Sequence, residues 1–330
     1  MSTTPRVETI TLGDELLLGI RENDHLTYLG VELAHHGVEP AANLVVRDNP
    51  ADIRSFFADS WKRSDLIITT GGLGPTTDDL TREAIADALG ETLVYDPEIE
   101  QSIRERFEQL GKEMPEINLR QCNRFQNSTV LSNPYGTAPG LFLEKDGKLL
   151  VMLPGPAREM HPMFQNQVIP RLQQAGIFPE IDCYLQLRTA GLGESALAAL
   201  VEPLLKDVPS LVVGYCARAG MVDLRLSSLD SEVLDNQGLQ NLADQCRETI
   251  GEDFVCFGDL TLAEVIFREL RTLNQTLAVA ESCTGGLVSS SLLKLLESLK
   301  YSTEVPYVII MMPKCSCSRF PKSCLNSTVQ

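Results

Sequence analysis

The sequence predicts an α/β protein whose first 175 residues form a doubly wound, mostly parallel sheet. Short apolar runs alternate there with amphipathic helical stretches, the pattern of right-handed β-α-β crossovers. Glycine-rich turns stand at the ends of several of those runs, where open α/β sheets place ligand groups. A third observation divides the chain. Over residues 180–256 the order becomes β-α-β-β-α, which predicts a small α+β domain, and a strand-to-helix turn near Glu281 opens an incomplete third α/β domain over 257–300.

The elements follow in order. Residues 7–12 read as the first strand and lead into Gly13-Asp14-Glu15-Leu16-Leu17-Leu18-Gly19. Asn23 or Asp24 caps the next helix, whose apolar face is Leu26, Leu29 and Leu33, and Gly37 closes it. Residues 43–46 give the second strand, and Asn49-Pro50 opens a helix with proline at its first position. Leu66-Ile67-Ile68 is continuously apolar and reads as a strand buried on both faces. A short strand near 92–95 and a helix over 97–110 come next, and Asp146-Gly147 turns a hairpin between the runs 141–144 and 149–153.

The turn after the third strand carries the chemistry. It reads Gly71-Gly72-Leu73-Gly74-Pro75-Thr76-Thr77-Asp78-Asp79-Leu80-Thr81-Arg82-Glu83 and runs into a helix with Ala84, Ile85, Ala88 and Leu89 on one face. Glycines let the backbone turn sharply and let an anion approach its N–H groups, beside the partial positive charge of a helix N-terminus. Backbone donors suit phosphate, and carboxylates suit a divalent cation shared with phosphate oxygens. Gly71, Gly72, Gly74, Thr76 and Thr77 are therefore candidate phosphate binders. Asp78, Asp79, Glu83 and Glu15 are candidate metal ligands, and Asp78, Asp79 and Asp14 candidate catalytic groups, with Asp78 first among them. Spacing does not separate ligand from base. The same turn also suits a plain helix start capped by Thr77 or Asp78. Two further turns, one with Gly136 and Thr137 and one with Gly155 and Arg158, belong to the same rim and add phosphate candidates, Arg158 as the cation. Glu159 reads as a helix-dipole residue.

Gly71 to Ala84 resembles the signature of the molybdopterin-binding fold shared by MoaB/MogA proteins and the N-terminal domain of the CinA (competence/damage-inducible protein A) family. Gly13 to Gly19, Gly136-Thr137-Ala138-Pro139-Gly140 and Leu153-Pro154-Gly155-Pro156 are similar to CinA motifs. His25 departs from the family's usual Asn at its place, and Ala157 departs mildly. Gly191-Leu192-Gly193-Glu194-Ser195, with the strand Val222 to Leu226, resembles the family's KH-like middle domain. Ala280-Glu281-Ser282-Cys283-Thr284-Gly285-Gly286 resembles the opening of its C-terminal nicotinamide mononucleotide amidohydrolase domain. The resemblance implies hydrolysis of a nucleotide pyrophosphate, ADP-ribose to AMP and ribose 5-phosphate, with a divalent metal cation as cofactor. It leaves two other readings open: a molybdopterin-binding protein and a non-catalytic nucleotide-binding module.

After about residue 300 the composition changes. Residues 305–330 hold Pro306, Pro313, Pro321, three cysteines and three basic residues but no acid. The expectation is a disordered tail over 301–330, from a frameshift or an unrelated extension, and loss of the deamidase activity, with Ser282 to Gly286 a vestigial motif.

The formal net charge of -17 argues against nucleic-acid and membrane-surface partners. It leaves room for a small-molecule nucleotide substrate held by backbone donors and a metal. No apolar run has signal-peptide or membrane-spanning length, so a cytoplasmic location is expected, with a homodimer as the default assembly. The six cysteines from Cys122 to Cys283 suggest neither a disulfide framework nor a zinc site, and a zinc reading of Cys315, Cys317 and Cys324 is disfavoured by C-x-C spacing with no fourth ligand nearby.

Overall fold

A computed structural model describes residues 5–178, 184–281, 284–298 and 308–311. The chain divides into two compact units, Met1–Tyr184 and Leu185–Gln330.

The first unit runs β1 (Val7–Leu12), α1 (Asp14–Leu17), α2 (Asp24–His35), β2 (Pro40–Val46), α3 (Pro50–Arg63) and β3 (Leu66–Thr70). It continues with α4 (Thr81–Leu89), β4 (Leu93–Tyr95), α5 (Pro97–Gln109), β5 (Asn123–Phe125) and β6 (Thr129–Leu131). It closes with β7 (Gly140–Lys145), β8 (Lys148–Leu153), α6 (Ala157–Met163) and α7 (Ile169–Gln174). The main sheet has the order β2-β1-β3-β8-β7-β6. β2, β1, β3 and β8 are parallel, β7 runs antiparallel to β8 through the hairpin at Asp146-Gly147, and the edge strand β6 pairs antiparallel with β7. The short pair β4-β5 lies outside that sheet.

Side-chain alternation divides the core into two. Leu66, Ile68, Val151 and Leu153 face one side, where they meet Leu29 and Leu33 of α2 and Met160 and Met163 of α6. Ile67, Leu150 and Met152 face the other, against Ile53 and Phe57 of α3 and Ile85 of α4. A parallel strand covered on both faces must be apolar at consecutive positions, which is why Leu66-Ile67-Ile68 has no polar break.

Two polar clusters are built into this core. Asn43 donates to Thr9 and Thr11 of β1 at 2.7 and 3.2 Å, and Asn23 donates to Asn43 at 3.1 Å. Glu8 is fully buried and takes both ends of the Arg63 guanidinium at 2.6 and 2.7 Å. Burial works to raise the Glu8 carboxyl, but hydrogen bonds from Arg63, Ser60 and Arg6 outweigh it and hold the group at about 2.

The helix starts follow local chemistry. Asn23 caps α2 by accepting from Leu26 N–H, and Asn49 caps α3 by accepting from Ala51 and Asp52 N–H. At α4 the alternative of a plain capped helix start does not hold. Neither Thr77 nor Asp78 fills the cap; the helix starts one turn later, after Leu80, with no side-chain cap.

The second unit contains β9 (Tyr184–Ala190), α8 (Glu194–Leu205), β10 (Leu211–Arg218), β11 (Met221–Ser228), α9 (Asn236–Ile250) and β12 (Phe254–Phe257). The sheet order is β10-β11-β9-β12, one strand more than the sequence pattern predicts. Leu197 and Val201 of α8 and Leu239 and Ala243 of α9 bury against Leu187, Leu224 and Leu226. Arg188, 3 % exposed, is held bidentately by Asp223 at 2.7 and 2.8 Å. Its remaining nitrogen donates to the main-chain carbonyls of Asp259, at 2.8 Å, and Leu260.

Beyond it lie α10 (Leu262–Thr272), β13 (Leu277–Ala280), α11 (Leu287–Ser298) and β14 (Val308–Met311), with β13 and β14 paired in parallel. The stretch expected to be a disordered tail thus contains a strand, because 308–311 supplies β13 with a hydrogen-bonded neighbour. Ser282 and Cys283 lie outside the described residues. No helix among the described residues is long and apolar enough to cross a membrane.

Candidate functional site

The carboxyl ends of β1, β2, β3 and β8 open on one cleft of about 390 Å³. Gly72, Gly74 and Gly155 line it from the turns after β3 and β8, and Glu15, Asp48 and Asp78 bring carboxylates to it. Parallel topology explains the convergence, since every parallel strand delivers its following turn to the same rim.

The glycine turn is held by the protein's own contacts. Gly71 has φ +97°, and a Cβ on it would stand 2.7 Å from the Leu12 carbonyl. Gly72, at φ +65°, could carry no Cβ without colliding with Thr81 Oγ1, nor Gly74 without colliding with the Asp79 carboxylate. Gly71 N–H donates to the Leu153 carbonyl at 3.0 Å and is committed. Among the described residues no acceptor takes the N–H of Gly72 or Gly74. These two N–H groups are uncommitted. Behind the turn, Arg82 is fully buried and donates to the carbonyls of Leu73 and Gln121 at 3.3 and 3.1 Å. Burial pushes its guanidinium down.

The two aspartates of the signature separate by role. Asp79 accepts from Thr76 N–H at 2.9 Å and from the Thr76 hydroxyl, so it staples the turn. Thr76 and Thr77 do not line the cleft, and the Thr76 donors are spent on Asp79. Asp78 is exposed, and both aspartates line the cleft.

Asp48, which the sequence reading missed, joins it. Asp14 N–H donates to Asp48 Oδ2 at 3.1 Å, and Asp48 N–H donates to Asp14 Oδ1 at 3.3 Å. Burial raises the Asp48 carboxyl, the Asp14 amide partly offsets this, and the charges of Asp14, Glu15 and Asp78 raise it further. Arg47 approaches Asp14 at 3.5 Å and Arg21 approaches Glu15 at 3.9 Å, both exposed.

Glu83 is corrected as a metal candidate. It points away from the cleft, with Arg120 at 3.9 Å and one carboxylate oxygen buried without a partner. Among the described residues, no three His, Cys, Asp or Glu side chains close on a point that could hold a metal ion by themselves. Of the four carboxylates expected as one ligand set, Glu15, Asp78 and Asp79 line the cleft and Glu83 does not.

The other turns also differ from expectation. Gly136 lines a separate side cavity, and Thr137 lines both cavity and cleft. Arg158 is 78 % exposed, pairs with Glu159 at 3.7 Å and does not line the cleft. Glu159 is buried rather than a solvated helix-dipole residue. It accepts from Asn133 Nδ2 at 2.8 Å and lies where a Gly136 Cβ would be, so it fixes the turn that holds Gly136 and Thr137.

His25 faces the cleft from α2. Its Nδ1 stands 2.9 Å from Thr70 Oγ1, and its ring also bonds the Gly155 backbone, so it ties the end of β3 to the turn after β8. Burial lowers its pKa, the Gly155 bond works against this, and Arg21 lowers it again.

In the second unit Glu281 accepts from Val288 and Ser289 N–H at 3.0 and 2.7 Å and from the Thr284 hydroxyl at 2.7 Å. The chain's own carboxylate thus occupies the α11 N-terminus, and the Ser289 bonds above all hold it at about 2. Gly285 and Gly286, at φ +60° and +93°, make the turn before that helix.

Fold and site define an α/β protein with an anion-donor and carboxylate cleft at the rim of a parallel sheet. Residues 8–174 match the family described as "Probable molybdopterin binding domain". Residues 186–255 match "Damage-inducible protein CinA KH domain", and residues 259–304 match "CinA C-terminal domain". A CinA-like protein from Kosmotoga olearia is 37% identical over 291 residues, covering 87% of this chain and 69% of that protein. A putative competence-damage inducible protein from Moorella thermoacetica is 41% identical over 286 residues, with coverage of 86% and 69%. A solved CinA protein of unknown function from Thermoplasma acidophilum is 30% identical and covers 51% of this chain and 98% of its own, with a TM-score of 0.47. The chain belongs to the CinA family.

Proposed function

We propose that the first unit is a hydrolase of a nucleotide pyrophosphate, with ADP-ribose as substrate and AMP and ribose 5-phosphate as products. One observation carries the reading. Two uncommitted N–H groups, of Gly72 and Gly74, share a cleft with carboxylates that have too few cations to neutralise them.

The donor set fits a divalent cation, since Glu15, Asp48 and Asp78 are hard oxygen ligands and the crowding around Asp48 favours a positive charge. They do not enclose one alone, which suits a cation shared with phosphate oxygens. Bound there, it would supply charge neutralisation and a more acidic water. Gly72 and Gly74 N–H groups donate to a phosphate oxygen, and His25 keeps the two flanking turns in register. A water oxygen bonds to one phosphorus as the bridging P–O bond breaks. The water proton passes to a cleft carboxylate, and the bridging oxygen leaves on the other phosphate.

A second reading follows from the match to a molybdopterin binding domain: the cleft holds a phosphorylated pterin without hydrolysis. The test is ADP-ribose turnover by the purified chain, with and without divalent metal, in wild type, Asp78→Ala and Asp79→Ala. Metal-dependent AMP release that falls most in Asp78→Ala supports the hydrolase. Binding without turnover refutes it and favours a binding module.

A further inference from the structure

The peptide planes of the glycine turn are steered from behind. A trans peptide is planar, with its carbonyl and its N–H on opposite sides, so whatever holds the carbonyl aims the N–H. Among the described residues no peptide bond is cis. The Leu73 carbonyl accepts from Arg82 Nη2 and from Gln121 Nε2, both at 3.3 Å and both from buried side chains. The N–H on the other side of that peptide belongs to Gly74, which lines the cleft and has no acceptor among the described residues. The Gly71 carbonyl is held in the same way by the Thr81 hydroxyl, at 3.5 Å, and the N–H opposite is that of Gly72. Two adjacent side chains at the start of α4 thus govern the two uncommitted donors of the turn, one each.

Packing alone does not account for Arg82. Among the described residues it donates only to carbonyls, and its Nε has no partner. A buried cation held by carbonyls costs more than an apolar side chain of like volume. The guanidinium does what an apolar chain could not, because it joins two segments: its other arm donates to the Gln121 carbonyl at 3.1 Å. Gln121 is oriented in turn by Asn118, whose Nδ2 donates to Gln121 Oε1 at 2.9 Å and leaves Nε2 for Leu73. Two donors therefore fix the Leu73–Gly74 peptide before any ligand arrives, and a donor already aimed needs no reorganisation when an anion binds.

We infer that Arg82 is a positioning residue of the anion site: by holding the Leu73 carbonyl in the interior it turns the Gly74 N–H into the cleft. The inference rests on the anion-binding reading of the cleft but not on hydrolysis there. Thr81 does the equivalent for Gly72, and this supplies an internal control.

The experiment is amide NMR of the isotope-labelled full chain, titrated with imidodiphosphate, a non-hydrolysable pyrophosphate, in the presence of magnesium. The Gly72 and Gly74 resonances are followed in wild type, Arg82→Met, Arg82→Lys and Thr81→Ala. In wild type both amides shift downfield and saturate together. Arg82→Met is expected to abolish the Gly74 shift, keep the Gly72 shift and weaken binding about tenfold. Arg82→Lys keeps the charge and one carbonyl contact and recovers part of the Gly74 shift. Thr81→Ala reverses the pattern, losing the shift at Gly72 and keeping it at Gly74. Wild-type shifts at both glycines in Arg82→Met overturn the inference, and so does an equal loss at both, which a charge effect or a folding role would give. Should Arg82→Met not fold, Arg82→Lys decides: a smaller shift at Gly74 than at Gly72 supports the inference and equal shifts overturn it. If neither amide responds in wild type, the anion-binding reading falls and the inference with it. If wild type responds and Arg82→Met matches it, the inference alone falls.

Discussion

Asp14 and Asp48 each donate a backbone N–H to the other's carboxylate, at 3.1 and 3.3 Å, just beyond the ends of β1 and β2. The exchange fixes two carboxylates side by side where like charges oppose one another. Asp48→Asn keeps an acceptor for the Asp14 amide and removes one charge. With a chelator present it should melt above wild type, by a stability gain of about 0.5–1 kcal/mol. On addition of magnesium or manganese the wild type should gain more than the variant. Paired thermal melts measure both, and a variant that melts lower in chelator would remove the crowding argument.

His25 gives a pH signature. Burial holds its pKa below the ordinary 6.5, and Arg21, Asp24 and His161 are the charged or titratable groups that act on it. A depressed folded pKa means the unfolded chain binds the proton more readily. The His25 contribution is therefore present above 6.5 and is lost as pH falls through the folded value. Asn at this position retains a donor and an acceptor but does not titrate. The melting-temperature advantage of wild type over His25→Asn should shrink between pH 7.5 and pH 5. Parallel curves across that range would refute a depressed titration.

Gly72 tests whether the glycine turn is shaped by ligand or by protein. Gly72→Ala places a Cβ against Thr81 Oγ1 and on a left-handed residue at φ +65°. The cost is expected to be about 2–4 kcal/mol, about 1 of it from the backbone. The double variant with Thr81→Ala should recover the steric share only. Urea denaturation of the two variants separates the shares, and no recovery would place the whole cost in the backbone.

What was legible in the sequence was local. Asn23, Asn49 and the pair Asp146-Gly147 announce their roles because a cap or a tight turn is decided within four residues. Apolar continuity at Leu66-Ile67-Ile68 likewise marks a strand covered on both faces. Asp48 was passed over because it stands beside Asn49, whose capping role explains the stretch; its partner Asp14 lies 34 residues away. Glu159 follows a helix start, which suggests a dipole residue, but its partner Asn133 comes from a distant turn. Arg82 sits in an amphipathic helix and shows nothing in its spacing to say that it turns inward. Asp78 and Asp79 are adjacent and identical in type. Both line the cleft, and only the Thr76 N–H bond singles out Asp79 as the staple.

Arg188 decides where the second unit can be cut. Its guanidinium is satisfied by the Asp223 carboxylate and by two carbonyls, of Asp259 and Leu260, that lie just before α10. A chain shortened before residue 259 would leave part of a buried cation without acceptors, a defect of several kcal/mol. One ending beyond Thr261 keeps the full set. The sheet domain therefore extends past its last strand, and a boundary drawn at the end of β12 would sever it from two of its own ligands.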